Sequence, residues 1–563
     1  MPPVVALVGA EYEENLSLRY LAAAVEQAGF RAELVPFGDD ARGTEIAERV
    51  LAKGPLVVGV SLPFQLRARQ LLGVATDLRA LGYGGHVCVG GHFATFEFAN
   101  LLRDFPAIDS VVRHEGEDTF RELCVMVRDG QTPRPVPGLV VRGPSGPVAG
   151  PARLLPGLDD LPFPDRRGEP HDVLGVPTAP IIGSRGCYAD CSFCCIYAYA
   201  DNARGPRYRR RSPEDVVREM KLERERRGVR LFVFHDDNFF LPHLPTNLTR
   251  YRRLRELLQA EGLDDVAFVI KCRPNDVDPE LFRLLKSMGV IRAYVGIETN
   301  SNEGIVSLNR RITSEDNRRA LRVLQELEVY CSFNVLIFDP EATLGGIEAN
   351  LDFMEEMADR PFNFCRAEVY AGTPLRHLLG SEGRLRGDYF AWGYEMREPR
   401  VELLFRIAST AFASRNFKPD GVHNLNMGVR FDNEAMRFFY PGAWDPEWQA
   451  RLVALSREVG LDSVRRMRFG VAFVRSADPY DQAAAKEFTL ELARGVAHAD
   501  LAYVGRVKAV RREMEARIEA CGGPLTRRRP RVEAPPWAAE TARLGSSIGF
   551  EASTELLPAP LRS

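Results

Sequence analysis

Cys187, Cys191 and Cys194 stand at C-x3-C-x2-C spacing within Gly186-Cys187-Tyr188-Ala189-Asp190-Cys191-Ser192-Phe193-Cys194-Cys195, and no other feature of the chain limits its folding as sharply. Thiols this close in sequence share one loop, and such a loop can wrap three irons of a cubane cluster, where ordinary electron-transfer clusters take four cysteines. The fourth iron is then left open. Ten cysteines in 563 residues do not amount to a disulfide scaffold, and four of them crowd into the nine residues from Cys187 to Cys195. In a reducing compartment that crowding points to metal or redox chemistry. The same loop also reads as a structural zinc site completed by Cys195, or as incidental buried thiols. Structural zinc sites usually pair two separated knuckles, and the sequence holds no second one.

The loop follows an apolar run that begins near Ala179, and a β/α series continues through Leu231–His235, Ala267–Lys271, Ala293–Glu298, Phe333–Phe338 and Arg366–Tyr370. Helical patterns such as Pro213–Arg227 and Pro279–Ser287 lie between. Six parallel strands of this kind predict a partial (β/α)6 barrel over residues 176–385, with chemistry at its C-terminal mouth. Upstream, short apolar runs (Val4–Val8, Ala32–Pro36, Leu56–Leu62, His86–Val89, Ser110–Arg113) alternate with helical patterns (Leu16–Ala28, Glu45–Ala52, Leu66–Leu81, Phe96–Phe105, Thr119–Val127). That alternation predicts an open, doubly wound parallel sheet, a Rossmann-like domain over residues 1–135. Its strand ends, at Gly9-Ala10, Ser61-Leu62-Pro63, Gly90-Gly91-His92 and Glu115-Gly116-Glu117, share the carboxyl edge where ligands bind in this architecture. Residues 136–175 are rich in Pro and Gly and read as a linker, residues 386–520 as a mainly helical region, and residues 521–563, with Arg527-Arg528-Arg529-Pro530-Arg531, as a flexible tail. The fold class is α/β throughout the first two domains. A formal charge of −3, from 74 basic and 77 acidic residues, argues against a nucleic-acid partner. The absence of an apolar run of about 18 residues and of a signal peptide at Met1-Pro2-Pro3-Val4-Val5 predicts a cytoplasmic chain without a membrane span.

The cysteine loop resembles that of the radical S-adenosylmethionine superfamily, in which the open iron chelates the amine and carboxylate of S-adenosylmethionine. The resemblance implies a 4Fe-4S cluster on Cys187, Cys191 and Cys194, and it sets Cys195 aside as a packing residue. Phe193, in the C-x-F-C position, is similar to the aromatic that covers the adenine in such enzymes. Asp236 and Asp237, Arg273, Glu298 and Asn334 fall at successive strands where family members hold the cofactor. Each of these residues also has an ordinary reading as a helix cap or ion-pair partner. The usual Gly-Gly-Glu motif is absent, and Asp236-Asp237 is the pair that stands in for its amine contact.

Val89-Gly90-Gly91-His92-Phe93-Ala94-Thr95 and Phe105 to Glu117 resemble the cobalamin-binding domain found upstream of many such barrels, and Leu158 to Arg166 resembles the linker of that architecture. The resemblance covers residues 1 to 385 and implies cobalamin contacts from Ser61, Leu62, Gln65, Arg67, Arg69, Gly90, Gly91, Thr95, Glu115 and Gly116. Physically, paired glycines at a strand end let the backbone approach a bulky ligand. A degenerate Rossmann domain that binds a plain nucleotide, or nothing, is the competing reading. The D-x-H-x-x-G signature is missing, and neither His86, His92 nor His114 has the neighbours of a cobalt-ligating histidine. The segment from Pro63 to Gln70 is expected to face the lower side of the corrin, with Arg67 or Arg69 either entering it or pointing to solvent.

Taken together the resemblance implies a cobalamin-dependent radical S-adenosylmethionine C-methyltransferase. Its substrate would be a small molecule, a natural-product or lipid precursor, with an aromatic amino acid such as tryptophan as one case. Electrons would come from a donor such as flavodoxin or ferredoxin. Two alternatives stay open: an oxidative cyclase or ring-rearranging enzyme with the same cofactors, and a cobalamin-binding sensor with an inert barrel. A methylthiotransferase resembles a chain with a further N-terminal cysteine triad, whereas here only Cys88 and Cys124 precede the barrel.

Overall fold

The computed structural model describes residues 1–11, 13–38 and 41–522. Most of the expected tail therefore lies outside the described residues. In chain order the elements begin with β1 (Val4–Ala10), α1 (Leu16–Gln27), β2 (Arg31–Phe37), α2 (Gly43–Leu51), β3 (Val57–Ser61), α3 (Gln65–Ala80), β4 (His86–Gly90), α4 (His92–Asp104), β5 (Ser110–Val112), α5 (Glu117–Arg128), β6 (Leu139–Gly143) and β7 (Gly146–Ala149). Next come β8 (His171–Val173), β9 (Val176–Ile181), β10 (Ser184–Gly186), α6 (Cys195–Asn202), β11 (Tyr208–Arg210), α7 (Pro213–Arg227), β12 (Leu231–Phe234), α8 (Leu244–Ala260), β13 (Ala267–Cys272), α9 (Pro279–Ser287), β14 (Val290–Val295), α10 (Asn302–Ser307), α11 (Ser314–Glu326), β15 (Tyr330–Phe338), α12 (Leu344–Glu356) and β16 (Phe362–Arg366). The last are α13 (Pro374–Ser381), β17 (Leu385–Asp388), β18 (Ala391–Tyr394), α14 (Pro399–Ala411), α15 (Ala413–Phe417), α16 (Val422–Phe439), α17 (Pro446–Ser476) and α18 (Gln482–Ala520).

These elements form two compact units that do not follow the chain in blocks. The first gathers Met1–His171, Ala179–Leu222 and Glu368–Gly393; the second gathers Asp172–Thr178, Glu223–Ala367 and the chain from Tyr394. The sheet of the first unit has the order β2-β1-β3-β4-β5-β6-β7. Strands β1 to β5 pair in parallel, and β5, β6 and β7 pair antiparallel. Buried on both faces, β1 reads Val4-Val5-Ala6-Leu7-Val8 without alternation, as a central parallel strand must. Strand order reverses between β1 and β3, which opens a crevice beyond their carboxyl ends. The β6–β7 hairpin falls inside the segment expected to be linker. Its apolar run, Leu139-Val140-Val141, is short, and two of its residues, Gly143 and Gly146, form part of the turn that made the stretch read as connector.

In the second unit β12 to β16 pair in parallel in sequence order, within a sheet ordered β16-β15-β14-β13-β12-β9-β8. This is the half-barrel the βα alternation predicts, with β9 and β12 to β16 as its six strands. The last strand is Phe362–Arg366 rather than Arg366–Tyr370, with Phe362, Asn363 and Phe364 buried in succession and the apolar residues after Arg366 running on outside the strand. Leu231, Ala267 and Tyr330, the first residues of β12, β13 and β15, share one buried cluster with Val422, Leu425, Val429, Leu452, Val507, Met514 and Ile518. Helices α16, α17 and α18 therefore plug the N-terminal end of this sheet. The opposite, carboxyl end is the one left for chemistry.

Candidate functional site

The cysteine loop leaves β10, which pairs antiparallel with β11 through Arg185↔Arg209 and Gly186↔Tyr208. Gly186 has φ +86°, and a Cβ there would lie 1.9 Å from the Arg207 carbonyl oxygen. Only glycine lets this hairpin close and hand the chain to Cys187. The Cys194 amide donates to the Cys191 carbonyl at 3.1 Å, so these two cysteines share a turn, and the Ala189 amide points at the Cys187 sulfur at 3.4 Å. Cys191 is buried and Cys187, Phe193, Cys194 and Cys195 are half-buried. The Cys194 thiol is pushed up to about 12, first by burial and then by Cys191, with Cys187 adding to the effect. The Cys194 thiol thus shares its surroundings with Cys191 and Cys187, as neighbouring ligands of one cluster would. Among the described residues no three His, Cys, Asp or Glu side chains converge on a point where a single ion would sit; cubane ligands instead bind separate irons.

The hairpin that presents the loop is bolted to the carboxyl edge of the first sheet. Arg185 pairs with Glu115 at 2.7 Å and with Glu117 at 2.7 Å, lies 4.9 Å from the Tyr20 ring, and is joined by Arg209, which pairs with Glu115 and donates to the Pro156 carbonyl at 2.6 Å. The Glu115 carboxylate, expected to face a cofactor, is therefore held by two guanidiniums. Gly116 packs against Leu21 and Val112, where a Cβ would stand 3.2 and 3.3 Å away.

The other residues expected around cobalamin gather at the ends of β3, β4 and β5. The Leu62 amide donates to the Gly90 carbonyl at 2.7 Å. Gly91 has φ +108°, and a Cβ there would sit 2.6 Å from the Leu62 carbonyl oxygen, so the two strand ends approach as only glycine allows. Thr95 donates through Oγ1 to the Gly91 carbonyl and accepts from the His114 amide at 2.8 Å. Ser61 is half-buried beside Leu62. Gln65 donates to the Val369 carbonyl at 2.7 Å while its Oε1 is buried without a partner. The His114 ring is buried beside Tyr199 and Asn202. A buried amide oxygen without a partner, beside a glycine-lined strand edge, fits a large ligand rich in amides. Of the two arginines of α3, Arg67 is buried and donates to the Gly38 carbonyl, just past the end of β2, at 3.0 Å, and Arg69 pairs with Asp388 at 2.6 Å over the Phe390 ring.

In the second unit Asp236 is buried and Asp237 exposed just beyond β12. Two residues on, Asn238 donates to Asp276 at 3.1 Å, and Asp276 also accepts from the Arg273 amide at 3.3 Å. Glu298 leaves β14 with φ +65° and is tied to β15 through its amide, which donates to the Asn334 carbonyl at 3.2 Å. Burial raises the Glu298 carboxyl, and Arg310 and Arg273 oppose that shift. Arg273 donates to the Arg310 carbonyl, and Arg310 donates to the Gly296 carbonyl. Asn334 keeps a buried Oδ1 without a partner. Of the expected residues, Arg273, Glu298 and Asn334 are thus brought together, joined by Arg310, into one carboxylate, two guanidiniums and an amide oxygen without a partner; these contacts do not include Asp236 or Asp237. Arg310 and Asp276 escaped the sequence reading because neither follows a strand or belongs to a spaced motif.

Residues 181–353 match the family described as the Radical SAM superfamily, and residues 2–124 match the B12 binding domain. The chain is 27% identical over 365 residues to an uncharacterized methyltransferase of Pyrococcus horikoshii, covering 64% of this chain and 77% of that one. Its fold is similar to that of OxsB, a cobalamin-dependent S-adenosylmethionine radical enzyme, at a TM-score of 0.65 and 17% identity over 97% of this chain and 84% of that one. It is likewise similar to the radical S-adenosylmethionine methyltransferase TsrM of Kitasatospora setae, solved with cobalamin and a 4Fe-4S cluster, at a TM-score of 0.57 and 22% identity over 68% and 75% of the two chains.

Proposed function

We propose that this chain, a B12-binding radical S-adenosylmethionine enzyme, is a C-methyltransferase that acts on a small organic molecule. One observation carries the reading: the hairpin that presents Cys187 is fastened through Arg185 and Arg209 to Glu115 and Glu117, on the same sheet edge that offers Gly91, Gln65 and Thr95. Cluster loop and corrin edge thus belong to one compact unit. When bound, the cluster and S-adenosylmethionine supply reductive C–S cleavage and a carbon radical, and cobalamin supplies a methyl carrier. The protein's part is to hold and orient. Cys187, Cys191 and Cys194 take the irons and leave one open, and Phe193 covers the adenine. Asp236, Asp237, Arg273, Glu298 and Asn334 grip the amino acid and ribose. Ser61, Leu62, Gln65, Gly90, Gly91 and Thr95 bed the corrin.

The substrate is a natural-product or lipid precursor, and an aromatic amino acid is one candidate, supported by the TsrM structure with tryptophan substrate. A flavodoxin or ferredoxin supplies electrons, in the cytoplasm; among the described residues no helix is long and apolar enough to cross a membrane. Similarity to the anaerobic magnesium-protoporphyrin IX monomethyl ester cyclase of Cereibacter sphaeroides, 27% identical over 342 residues, favours a second reading, an oxidative cyclase or ring-rearranging enzyme with the same cofactors. The test is anaerobic reconstitution with S-adenosylmethionine labelled in its methyl group, followed by counting iron and cobalt and assaying 5′-deoxyadenosine with candidate substrates. Label in the product supports methylation. 5′-Deoxyadenosine with an altered, unlabelled product selects the second reading, and neither signal with both metals loaded overturns both.

A further inference from the structure

The interior face of the half-barrel in the second unit is reached by water and carries positive charge. Along β12 to β16 most side chains are buried, and the half-buried Val233, Lys271, Arg292, Tyr294, Asn334 and Cys365 fall on one face. Strand pairing places them there. Val233 stands beside Val269, two residues before Lys271, and Val269 stands beside Arg292; Lys271 stands beside Tyr294, and Tyr294 beside Ser332; Asn334, two residues on, stands beside Asn363, two residues before Cys365. Side chains two apart on a strand share a face. Lower on this face Leu231, Ala267, Val269 and Tyr330 meet the plug of α16 to α18. The half-buried residues therefore line a lumen that the helices close at its N-terminal end, below the mouth where barrels of this kind do their chemistry.

Two cations of this lumen lack an anion. Lys271 is half-buried, and among the described residues its ammonium has neither a hydrogen bond nor an ion pair. Arg292 donates to the Ser332 hydroxyl at 2.9 Å and lies over the rings of Tyr330 and Phe431 at 5.5 and 5.2 Å; among the described residues no carboxylate pairs with it. Glu298, the carboxylate just past β14, is faced by Arg310 and Arg273 instead. Elsewhere in this unit Arg415, taken wholly from water, is matched by Asp462 and Asp500. A charge drawn out of bulk water without a counter-charge is destabilising, so two unmatched cations on one lumen face point to an anion that arrives with the ligand. On the reading that the reaction takes place at this barrel's mouth, we propose that the lumen receives an anionic group of the substrate, a carboxylate or a phosphate, with Lys271 as its counter-charge and Arg292 adding positive potential from the floor. Lysine carries a compact ammonium on a flexible four-carbon stem, which follows an oxyanion of either shape. A substrate made only of hydrocarbon would leave both charges unmatched in a space emptied of water, and the site selects against it.

The experiment is a lysine footprint on the cluster- and cobalamin-loaded protein. The sequence holds seven lysines, so trace acetylation by acetic anhydride, mapped by peptide mass spectrometry, reports each one by itself. Benzoate and phenyl phosphate are the anionic probes, and benzamide is the neutral one. Acetylation of Lys271 should fall about 10-fold in saturating benzoate or phenyl phosphate, as a charge-assisted contact would give, and the probe that protects at the lower concentration marks the substrate's own group. Benzamide should leave it within about 2-fold of the free protein, and the remaining lysines should not respond. By calorimetry Lys271→Gln should bind the protecting anion about 10-fold more weakly, and Lys271→Arg should recover part of the loss. Equal protection by benzamide, or none by either anion, overturns the proposal. So does protection by S-adenosylmethionine alone, which assigns Lys271 to the carboxylate of that cofactor. The footprint needs no turnover and is thus separable from the methyl-label test: protection by an anion without a methylated product leaves the lumen site standing and sinks the methyltransferase reading alone.

Discussion

Cys194 and Cys195 are adjacent in sequence and differ in what surrounds them. Cys194 is the cap before α6, it shares a turn with Cys191, and its thiol feels both Cys191 and Cys187. Cys195 is already the first residue of the helix. Cys194→Ala should therefore abolish cluster assembly, with iron per chain falling close to zero after anaerobic reconstitution, whereas Cys195→Ala should keep the parent's iron content. The reverse pattern would transfer the third ligand to Cys195. The ligand set was legible in the sequence because three thiols within eight residues are a local signal that no distant contact can rewrite. Glu298 was legible as a strand end, but its left-handed backbone and the opposing charges of Arg273 and Arg310 were not, since Arg310 comes from a loop beyond α10.

Among the elements, the segment from Leu158 to Arg166 acts as a strap whose end is fixed by one side chain. Arg166 pairs with Glu14 and, at 2.8 Å, with Glu219, and donates to the Pro180 carbonyl; its side chain is 2% exposed, and those of Glu14 and Glu219 are 3% and 1%. Such a buried set tolerates loss of its cation badly, because Glu14 is left buried away from water while Glu219 keeps only Arg211, at 2.5 Å. Arg166→Met should destabilise the first unit by about 3–5 kcal/mol, measured as a fall in urea midpoint. Removing Glu14's charge as well, in Arg166→Met/Glu14→Gln, should recover a substantial part. A midpoint shift below about 1 kcal/mol, as for an exposed pair, would contradict the buried-strap account. The motif was visible in sequence as a resemblance only, since Glu14 and Glu219 lie more than 50 residues away on either side. Strands β1 to β5 and β12 to β15 were readable from their apolar runs. The β10–β11 and β6–β7 hairpins were not, being three to five residues long and set among glycines and arginines.

Across the whole molecule, polar groups sit deep in both units, and this explains what the sequence left unread and what acid should do. The C-terminal helices looked irregular because their buried faces are not simply apolar: Arg415, 0% exposed, is held by Asp462 and Asp500 at 2.8 Å each, and His423 sits between Ser463 and the rings of Phe362 and Phe364. A stripe of such residues breaks the 3.6-residue apolar rhythm on which a helix is recognised. His423 in the second unit and His114 in the first are 1% and 4% exposed, and burial holds His423 well below and His114 down at about 4 from the ordinary 6.5. For a histidine depressed in the folded state, the unfolded chain binds the proton first, so stability rises with pH. The contribution is complete above about pH 6.5 and is lost as pH falls toward the folded value. At pH 5.5 a histidine held at about 4 should cost its unit about 1 kcal/mol, and in the first unit His92, likewise held down at about 4 by burial, adds to His114. Carboxyls raised by burial, such as Glu298, Glu434 and Asp339, act in the opposite sense as pH falls through their folded values. Urea midpoints should fall between about pH 7.5 and 5.5, and His423→Gln should flatten the fall for the second unit while leaving the first unit's intact. A midpoint that holds steady down to pH 5.5 would mean that these rings accept protons in the folded state after all, and that water or a carboxylate reaches them.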